Sequence, residues 1–208
     1  MTASNRPASA ARRRKGPGFP SGNPGPGSVS DADSDAAPEQ DADADPAAAA
    51  RAIVLRQLTS SAKSRLQLSR KLAERNIPEE VAEAVLDRFE EVRLVDDAEF
   101  AQMWVRSRSQ NRKLARGALR RELAEKGIPD EAAAAALAQV SDEAEESAAR
   151  ELVERKLRSV RGLEDPGERD KAVRRLASML ARKGYQPGQA FRIVGEVLDD
   201  ALGDPDRT

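Results

Sequence analysis

The sequence predicts an all-α protein of three tandem three-helix repeats that follow a disordered N-terminal tail. Three observations lead to this prediction. Aromatic residues make up only 3% of the 208 residues and charged residues 34%, so a single large core is not expected. A leucine- and alanine-containing helical motif occurs three times after residue 60. Each copy ends at a glycine or asparagine, the residue types that most readily stop a helix.

The predicted tail covers residues 1–46. Residues 17–27 are rich in glycine and proline, and residues 31–45 form an alanine–aspartate tract that ends at Pro46. Neither segment has enough apolar side chains to offset the entropy lost on ordering. The basic residues 12–15 could touch nucleic acid, but a solvated tail is the favoured interpretation. No apolar stretch follows them, so they do not form a secretory signal.

The repeated motif is Leu-x-x-x-Leu-Ala, then polar residues, a turn residue and an apolar residue. Its copies occupy residues 68–78, 119–129 and, in a weaker form, 176–185. Repetition at this spacing indicates an array of similar helical units, each of which must pack on a neighbour to bury its apolar face.

The turns between the helices are predicted from five residues. Asn76, Gly127 and Gly184 occupy equivalent places, where the chain must adopt the left-handed conformation that ends a helix. Pro78 and Pro129 follow two residues later, where the fixed φ of proline suits the first turn of a new helix. Each copy is therefore expected to end one helix and begin the next.

Apolar residues at helical spacing extend this pattern to nine helices. The predicted helices are roughly 47–60, 63–75, 78–91, 96–112, 115–126, 129–140, 142–160, 168–183 and 187–201. The repeats are then residues 47–93, 94–140 and 141–202, after the tail of residues 1–46.

The segment 95–100 predicts the start of the fourth helix. Asp96 is placed as the N-cap with Glu99 at the third helical position, and Val95 and Phe100 as the flanking apolar pair. Asp96, Asp97 and Glu99 could also be read as a carboxylate metal site. Capping and the helix dipole explain acidic residues at this place better.

Composition excludes several classes of chemistry. The chain has no cysteine and no histidine, so thiolate sites, hydrolytic triads and zinc sites are not expected. We predict no enzymatic activity and no cofactor. No run of about 18 apolar residues is present, so the cytoplasm is the expected location. Arginine outnumbers lysine 27 to 8, which is typical of a GC-rich bacterial genome.

The basic run 106–121 is the predicted binding surface, because no acidic residue interrupts it. The alternative is a solvated face neutralised by Glu122, Glu125 and nearby acidic helices. Phosphates or an acidic protein surface would suit such a cluster. Trp104 is in phase with Phe100 and is expected to pack in the core. The candidate residues are Arg106, Arg108, Arg112, Lys113, Arg116, Arg120 and Arg121.

Three segments resemble one bacterial family. Residues 94–108 read Leu-Val-Asp-Asp-Ala-Glu-Phe-Ala-x-x-Trp-Val-x-x-Arg, which resembles the signature of RecX, the regulatory protein of the RecA recombinase. Residues 63–72 and 117–128 resemble the first- and second-repeat motifs of the same family, with Lys63 and Gln67 in place of arginine and glutamate. The resemblance covers about residues 51–200 and is strongest at 64–130.

This resemblance implies an elongated, curved array that lodges in the groove of the RecA–DNA filament. It implies inhibition of ATP hydrolysis, strand exchange and the co-protease activity that triggers the SOS response. The expected partners are the RecA filament and, through backbone contacts, single- or double-stranded DNA, with the chain itself a monomer. Two alternatives remain open: a stand-alone, sequence-independent DNA-binding protein, and a nuclease with a carboxylate metal site.

Overall fold

The computed structural model of the chain describes residues 45–203, and every regular element in this part is an α-helix. Most of the predicted tail, residues 1–44, lies outside the described residues, as do residues 204–208. The all-α prediction is confirmed, and the predicted helix bounds differ from the observed ones by three residues or fewer. The nine helices of residues 45–203 are α1 (Pro46–Ser60), α2 (Arg65–Glu74), α3 (Glu79–Glu91), α4 (Asp97–Arg112), α5 (Arg116–Glu125), α6 (Asp130–Leu137), α7 (Asp142–Leu157), α8 (Pro166–Arg182) and α9 (Pro187–Gly203).

The helices form three groups, each around its own apolar core. The first group is α1–α3, the second is α4–α6 and the third is α7–α9. The extensive helix–helix contacts all fall within a group. Each core is small and made mainly of alanine, valine and leucine, as the low aromatic content indicates.

Side-chain caps fix where several helices begin. The Asp96 carboxylate accepts a hydrogen bond from the Glu99 amide at 2.9 Å, and Val95 and Phe100 beside it are buried. Asp96 therefore caps α4, as predicted. Ser141 caps α7 in the same way, accepting from the Ala144 amide at 3.1 Å. These bonds satisfy amides that would otherwise lack a partner at a helix start.

The predicted left-handed turns are confirmed. Asn76, Gly127 and Gly184 have φ values of 56°, 73° and 91°. In each turn the amide of the following apolar residue donates to a carbonyl of the preceding helix, which closes that helix. Pro78 and Pro129 are the N-caps, one residue before the first helical residue, rather than part of the first turn.

Two joints of the same design connect the three groups. In the first joint, the Ser64 hydroxyl at the start of α2 donates to the Lys126 carbonyl at the end of α5, at 2.7 Å. In the second joint, the Ala115 amide at the start of α5 donates to the Lys183 carbonyl at the end of α8, at 3.0 Å. The start of the second helix in one group therefore meets the end of the second helix in the next group.

A carboxylate completes each joint. Asp97, in the first turn of α4, accepts from the Arg65 amide at 2.8 Å. Glu145, in α7, accepts from the Arg116 amide at 2.9 Å, and its side chain is almost fully buried. Both carboxylates bond a backbone N–H at a helix start, where the dipole favours negative charge.

Tyr185, the only tyrosine of the chain, lies at the second joint. Tyr185 is buried, and its hydroxyl donates to the Lys113 carbonyl at 3.1 Å. Burial raises the pKa of the Tyr185 phenol well above its ordinary value of 10.0, and the nearby carboxylates Glu145 and Glu151 raise it further.

We therefore expect the tyrosinate absorbance near 295 nm to stay low above pH 10 while the chain is folded. Because the folded pKa exceeds the unfolded one, the contribution of Tyr185 to the free energy of unfolding is fully present below about pH 10 and is lost as the pH rises through the folded pKa. A spectrophotometric titration measures this, and the same titration in concentrated urea should return the pKa to its ordinary value. Identical midpoints with and without urea would contradict the buried position of Tyr185.

Candidate partner-binding surface

The predicted basic residues lie on two helices and on the connection between them. Arg106, Arg108 and Arg112 belong to α4, and Arg112 is its last residue. Lys113 follows in a left-handed conformation with φ of 51°. The chain then enters α5, which carries Arg116, Arg120 and Arg121. The run therefore spans a helix end, a tight connection and a helix start.

Acidic groups of the chain engage some of these cations. The Lys113 amine lies 2.9 Å from the Glu151 carboxylate of α7, which lowers the pKa of that carboxyl below its ordinary value. The Arg108 Nε lies 3.6 Å from the Glu122 carboxylate. Neutralisation within the chain, the alternative drawn from the sequence, thus holds for part of the run.

Arg116 is bound within the second joint. Its guanidinium pairs with Asp142, and its Nε donates to Glu145 at 3.1 Å. The equivalent residue of the first joint is Arg65, whose guanidinium pairs with three carboxylates of α3. Arg65 and Arg116 occupy equivalent positions of two repeats, and both pair with carboxylates of the chain. We therefore assign Arg116 to the second joint rather than to the binding surface.

Trp104 packs on the edge of the second core, and two cationic side chains lie over its ring. Its ring stacks on Phe100 with the centroids 5.7 Å apart, which agrees with the predicted core role. The Arg108 guanidinium and the Lys126 amine lie 4.1 and 4.0 Å from the ring centroid of Trp104. The indole N–H donates to Glu122 at 2.7 Å. Arg108 is therefore held by the indole and this carboxylate.

Burial also changes the proton affinity of Lys126. Its pKa is lowered first by desolvation and then by the positive charge of Arg108, while Glu122 acts in the opposite direction. The Trp104 cluster is therefore a packed set of charges and an aromatic ring, rather than a solvated basic face.

The remaining basic residues of the run are exposed to solvent. Within residues 45–203 they have no ion pair, and their side chains are open for a partner. They are Arg106, Arg112, Arg120 and Arg121. The exposed part of the predicted surface is therefore narrower than the sequence run.

Reasoning from the sequence missed a second cluster of cations, in the third group. A cleft between α7 and α8 is lined by Lys156, Arg175 and Arg182 together with Ser159. The signal was present, because residues 171–195 contain six basic residues and no acidic one. The same criterion that selected the run 106–121 would have found this segment.

The carboxylates at the start of α4 form no metal site. Within residues 45–203 no group of three or more histidine, cysteine, aspartate or glutamate side chains is placed to hold a metal ion.

None of the helices within residues 45–203 has the length and apolar character needed to cross a membrane.

Small three-helix groups in series define the class of this protein as a helical-repeat protein. Comparison with known proteins agrees with this class. Two family models match, one described as the first three-helix domain of RecX over residues 50–89, the other as its second three-helix domain over residues 96–137. The chain belongs to the RecX family.

Relatives and solved structures support this assignment. Proteins named "Regulatory protein RecX" from Streptomyces coelicolor, Thermobifida fusca and Mycolicibacterium vanbaalenii are 54%, 51% and 47% identical to the chain. The alignments cover 73%, 72% and 70% of this chain and 78%, 79% and 80% of those proteins. These organisms are GC-rich actinobacteria, in line with the arginine bias.

The crystal structure of RecX from Lactobacillus salivarius matches with a TM-score of 0.65 at 21% identity, over 74% of this chain and 97% of that one. A second crystal structure, of a regulatory protein RecX, matches with a TM-score of 0.61 at 24% identity, over 74% of this chain and 73% of that one. At these identities the two structures support the fold alone.

Proposed function

We propose that this chain is a negative regulator of RecA that binds the RecA–DNA filament. In this role it lowers ATP hydrolysis, strand exchange and co-protease activity, and so modulates recombination and the SOS response in the cytoplasm. The observation that carries the proposal is membership of the RecX family through relatives named as regulatory proteins. It needs no catalytic group of this chain, since the effect comes from binding.

The proposed contact is the exposed part of the basic run. It comprises side chains that present guanidinium groups without an ion pair in residues 45–203: Arg106 and Arg112 on α4, and Arg120 and Arg121 on α5. Guanidinium forks match both carboxylates and phosphates, the two anionic groups that a protein–DNA filament offers. The two joints support the proposal because their hydrogen bonds hold neighbouring groups against each other, so the exposed cations keep defined positions.

The test is the single-stranded-DNA-dependent ATPase of RecA, measured with increasing amounts of the full chain. We expect the hydrolysis rate to fall at stoichiometric or lower ratios of chain to RecA. The control measures the slower hydrolysis by RecA without DNA in the presence of the chain, which separates an effect on the filament from an effect on free RecA. An unchanged DNA-dependent rate at an equimolar ratio would refute the proposal.

A second function, sequence-independent DNA binding without RecA, is favoured by the cations alone. The salt dependence of binding distinguishes DNA binding alone from regulation of the RecA filament. Binding to phosphates weakens steeply with salt, whereas a protein contact with an apolar component is less affected. Inhibition of RecA that persists at a salt concentration where free DNA is no longer bound would favour the first function.

A further inference from the structure

A small depression lies between the α3–α4 connection, the first turns of α4 and the α1–α2 connection. It measures about 120 Å³, and its apolar lining includes Leu94, Phe100 and Met103. Leu94 is 56% exposed and Met103 is 43% exposed, although both are large apolar side chains. Exposed apolar residues are common when they are scattered singly, whereas neighbouring ones around one depression are typical of a binding surface.

The turn that carries Leu94 differs from its counterparts. Within the described part of the chain, four helices end with a left-handed residue and with a hydrogen bond from the next amide to a carbonyl five residues earlier. The residue with that amide frequently packs on the helix that it ends. Ile128 and Tyr185 are buried in this position and Ile77 is half-buried, whereas Leu94 is exposed. The packing of this turn therefore does not require an apolar side chain at Leu94.

The backbone holds Leu94 in its exposed position. Arg93 before it has φ of 56°, and the Leu94 amide donates to the Phe89 carbonyl at 2.9 Å. Val95 after it is buried in the first core. Because the segment is fixed on both sides of Leu94, little backbone freedom is lost when a partner covers it.

The rim of the depression carries charges of both signs. Lys63 and Arg93 are positive, and Asp96 and Glu99 are negative. None of these four side chains has an ion pair within residues 45–203. The two carboxylates would repel the phosphates of nucleic acid, whereas a protein surface can offer both signs of charge. Exposed charges at such a rim select a partner but contribute little to the affinity.

The size of the depression also favours a protein as its partner. Sites for small-molecule ligands measure about 300–1,000 Å³. A space of about 120 Å³ is too small for such a ligand and has room for about one apolar side chain. A side chain that projects from a protein surface is therefore the occupant that fits.

The depression adjoins the exposed part of the basic run. Met103 and Arg106 lie three residues apart on α4, so their side chains are neighbours on the helix surface. Arg106 is exposed and has no ion pair within residues 45–203. One partner can therefore cover the apolar depression and the first cation of the run together.

We propose that Leu94 and Met103 form an apolar contact site for a protein that inserts one apolar side chain, flanked by charged side chains, into this depression. The inference rests on the proposed function, in which that protein is RecA and the basic run is the neighbouring contact. It adds a contact that needs no phosphate. In interfaces of this kind a few apolar residues at the centre provide most of the binding free energy, and the charged rim excludes water.

The test measures the binding of the full chain to RecA filaments, formed on immobilised single-stranded DNA with a slowly hydrolysed ATP analogue, by surface plasmon resonance. Leu94 and Met103 are changed together to glutamine. The matched control changes Leu55 and Leu202 to glutamine, two leucines that are 50% and 43% exposed and do not line the depression. We expect the first variant to bind the filament at least about tenfold more weakly, and the control to bind like the unchanged chain.

A salt series distinguishes an apolar contact from a contact with phosphate. An apolar contact releases no counterions, so the ratio of the affinities of the unchanged chain and the Leu94/Met103 variant should stay the same as the salt concentration rises. The binding of free oligothymidylate should be equal for the two proteins.

A conservative variant separates loss of the contact from damage to the fold. Leu94→Met combined with Met103→Leu keeps two apolar side chains of similar volume, so it should bind the filament like the unchanged chain. Circular dichroism should give the same helix content for every variant, because all the altered side chains are exposed.

Four outcomes would overturn the inference. The first is equal filament binding by the Leu94/Met103 variant and the unchanged chain, and the second is an equal loss in the control. The third is weaker oligothymidylate binding by the variant, which would assign the depression to DNA. The fourth is a dimer of the unchanged chain in sedimentation equilibrium that the variant does not form, which would assign the depression to a second copy.

The same experiment separates this inference from the proposed function. Filament binding by the unchanged chain that the glutamine changes leave intact would refute the apolar contact and leave the proposed function standing. If the unchanged chain did not bind the filament, the proposed function and this inference would fail together.

Discussion

Replacing Gly184 by alanine is expected to lower the free energy of unfolding by about 2–5 kcal/mol. Gly184 has φ of 91°, a conformation that costs free energy for any residue with a Cβ. A Cβ at this position would also lie 2.2 Å from the Ala118 amide nitrogen and 2.6 Å from the Ala118 Cβ. Because the obstacle is backbone of α5, the second joint would have to open.

Urea denaturation followed by circular dichroism and by Trp104 fluorescence measures this effect. The control is Gly195→Ala in α9, where a new Cβ would meet nothing within 4 Å. That change should stabilise the chain by about 0.5–1 kcal/mol, because alanine favours a helix over glycine. If Gly184→Ala unfolded at the same urea concentration as the unchanged chain, the close packing of the second joint would be refuted.

Changing Arg112, Arg120 and Arg121 together to glutamate is expected to raise the concentration needed to inhibit RecA at least about tenfold. Placing like charges against an anionic partner costs several kcal/mol, and about 1.4 kcal/mol already corresponds to a factor of ten. These side chains are exposed and have no ion pair within residues 45–203, so the helices should stay intact.

The matched control reverses Arg70, Arg93 and Arg161, three exposed cations outside the basic run that also have no ion pair within residues 45–203. It changes the net charge equally and should inhibit RecA nearly as well as the unchanged chain. Equal inhibition by the variant at Arg112, Arg120 and Arg121 would mean that the exposed part of the basic run is only solvated. Arg116 is left out, because a glutamate there would stand beside Glu145 and Asp142 and disrupt the joint.

The helix ends illustrate what short segments can predict. Asp96 and the turn residues Asn76, Gly127 and Gly184 are predicted correctly because each acts on amides or dihedral angles within a few residues of itself. The family assignment rests on the same kind of local pattern. Carboxylates at a helix start can for that reason be distinguished from a metal site by their neighbours in the sequence alone.

The binding surface illustrates the opposite case. The run 106–121 has no acidic residue, yet Lys113 and Arg116 meet carboxylates of α7 that are 26–38 residues away in sequence. Repeat position gives a clue, since Arg116 is equivalent to Arg65, but the acidic partners of Arg65 lie on α3. The carboxylates that pair with an arginine at this repeat position therefore depend on which helix lies beside that arginine in the folded chain.

The sequence by itself determined the helices, their ends, the three repeats and the family, because these depend on spacing and on hydrogen bonds between near neighbours. Only the tertiary structure decided which cations bind groups of the chain itself and which are exposed to solvent. It placed Arg116 in the joint, Arg108 on Trp104 and Lys183 beside Arg112. Charge interactions act through space, so their outcome is fixed only when the joints set the distances between helices.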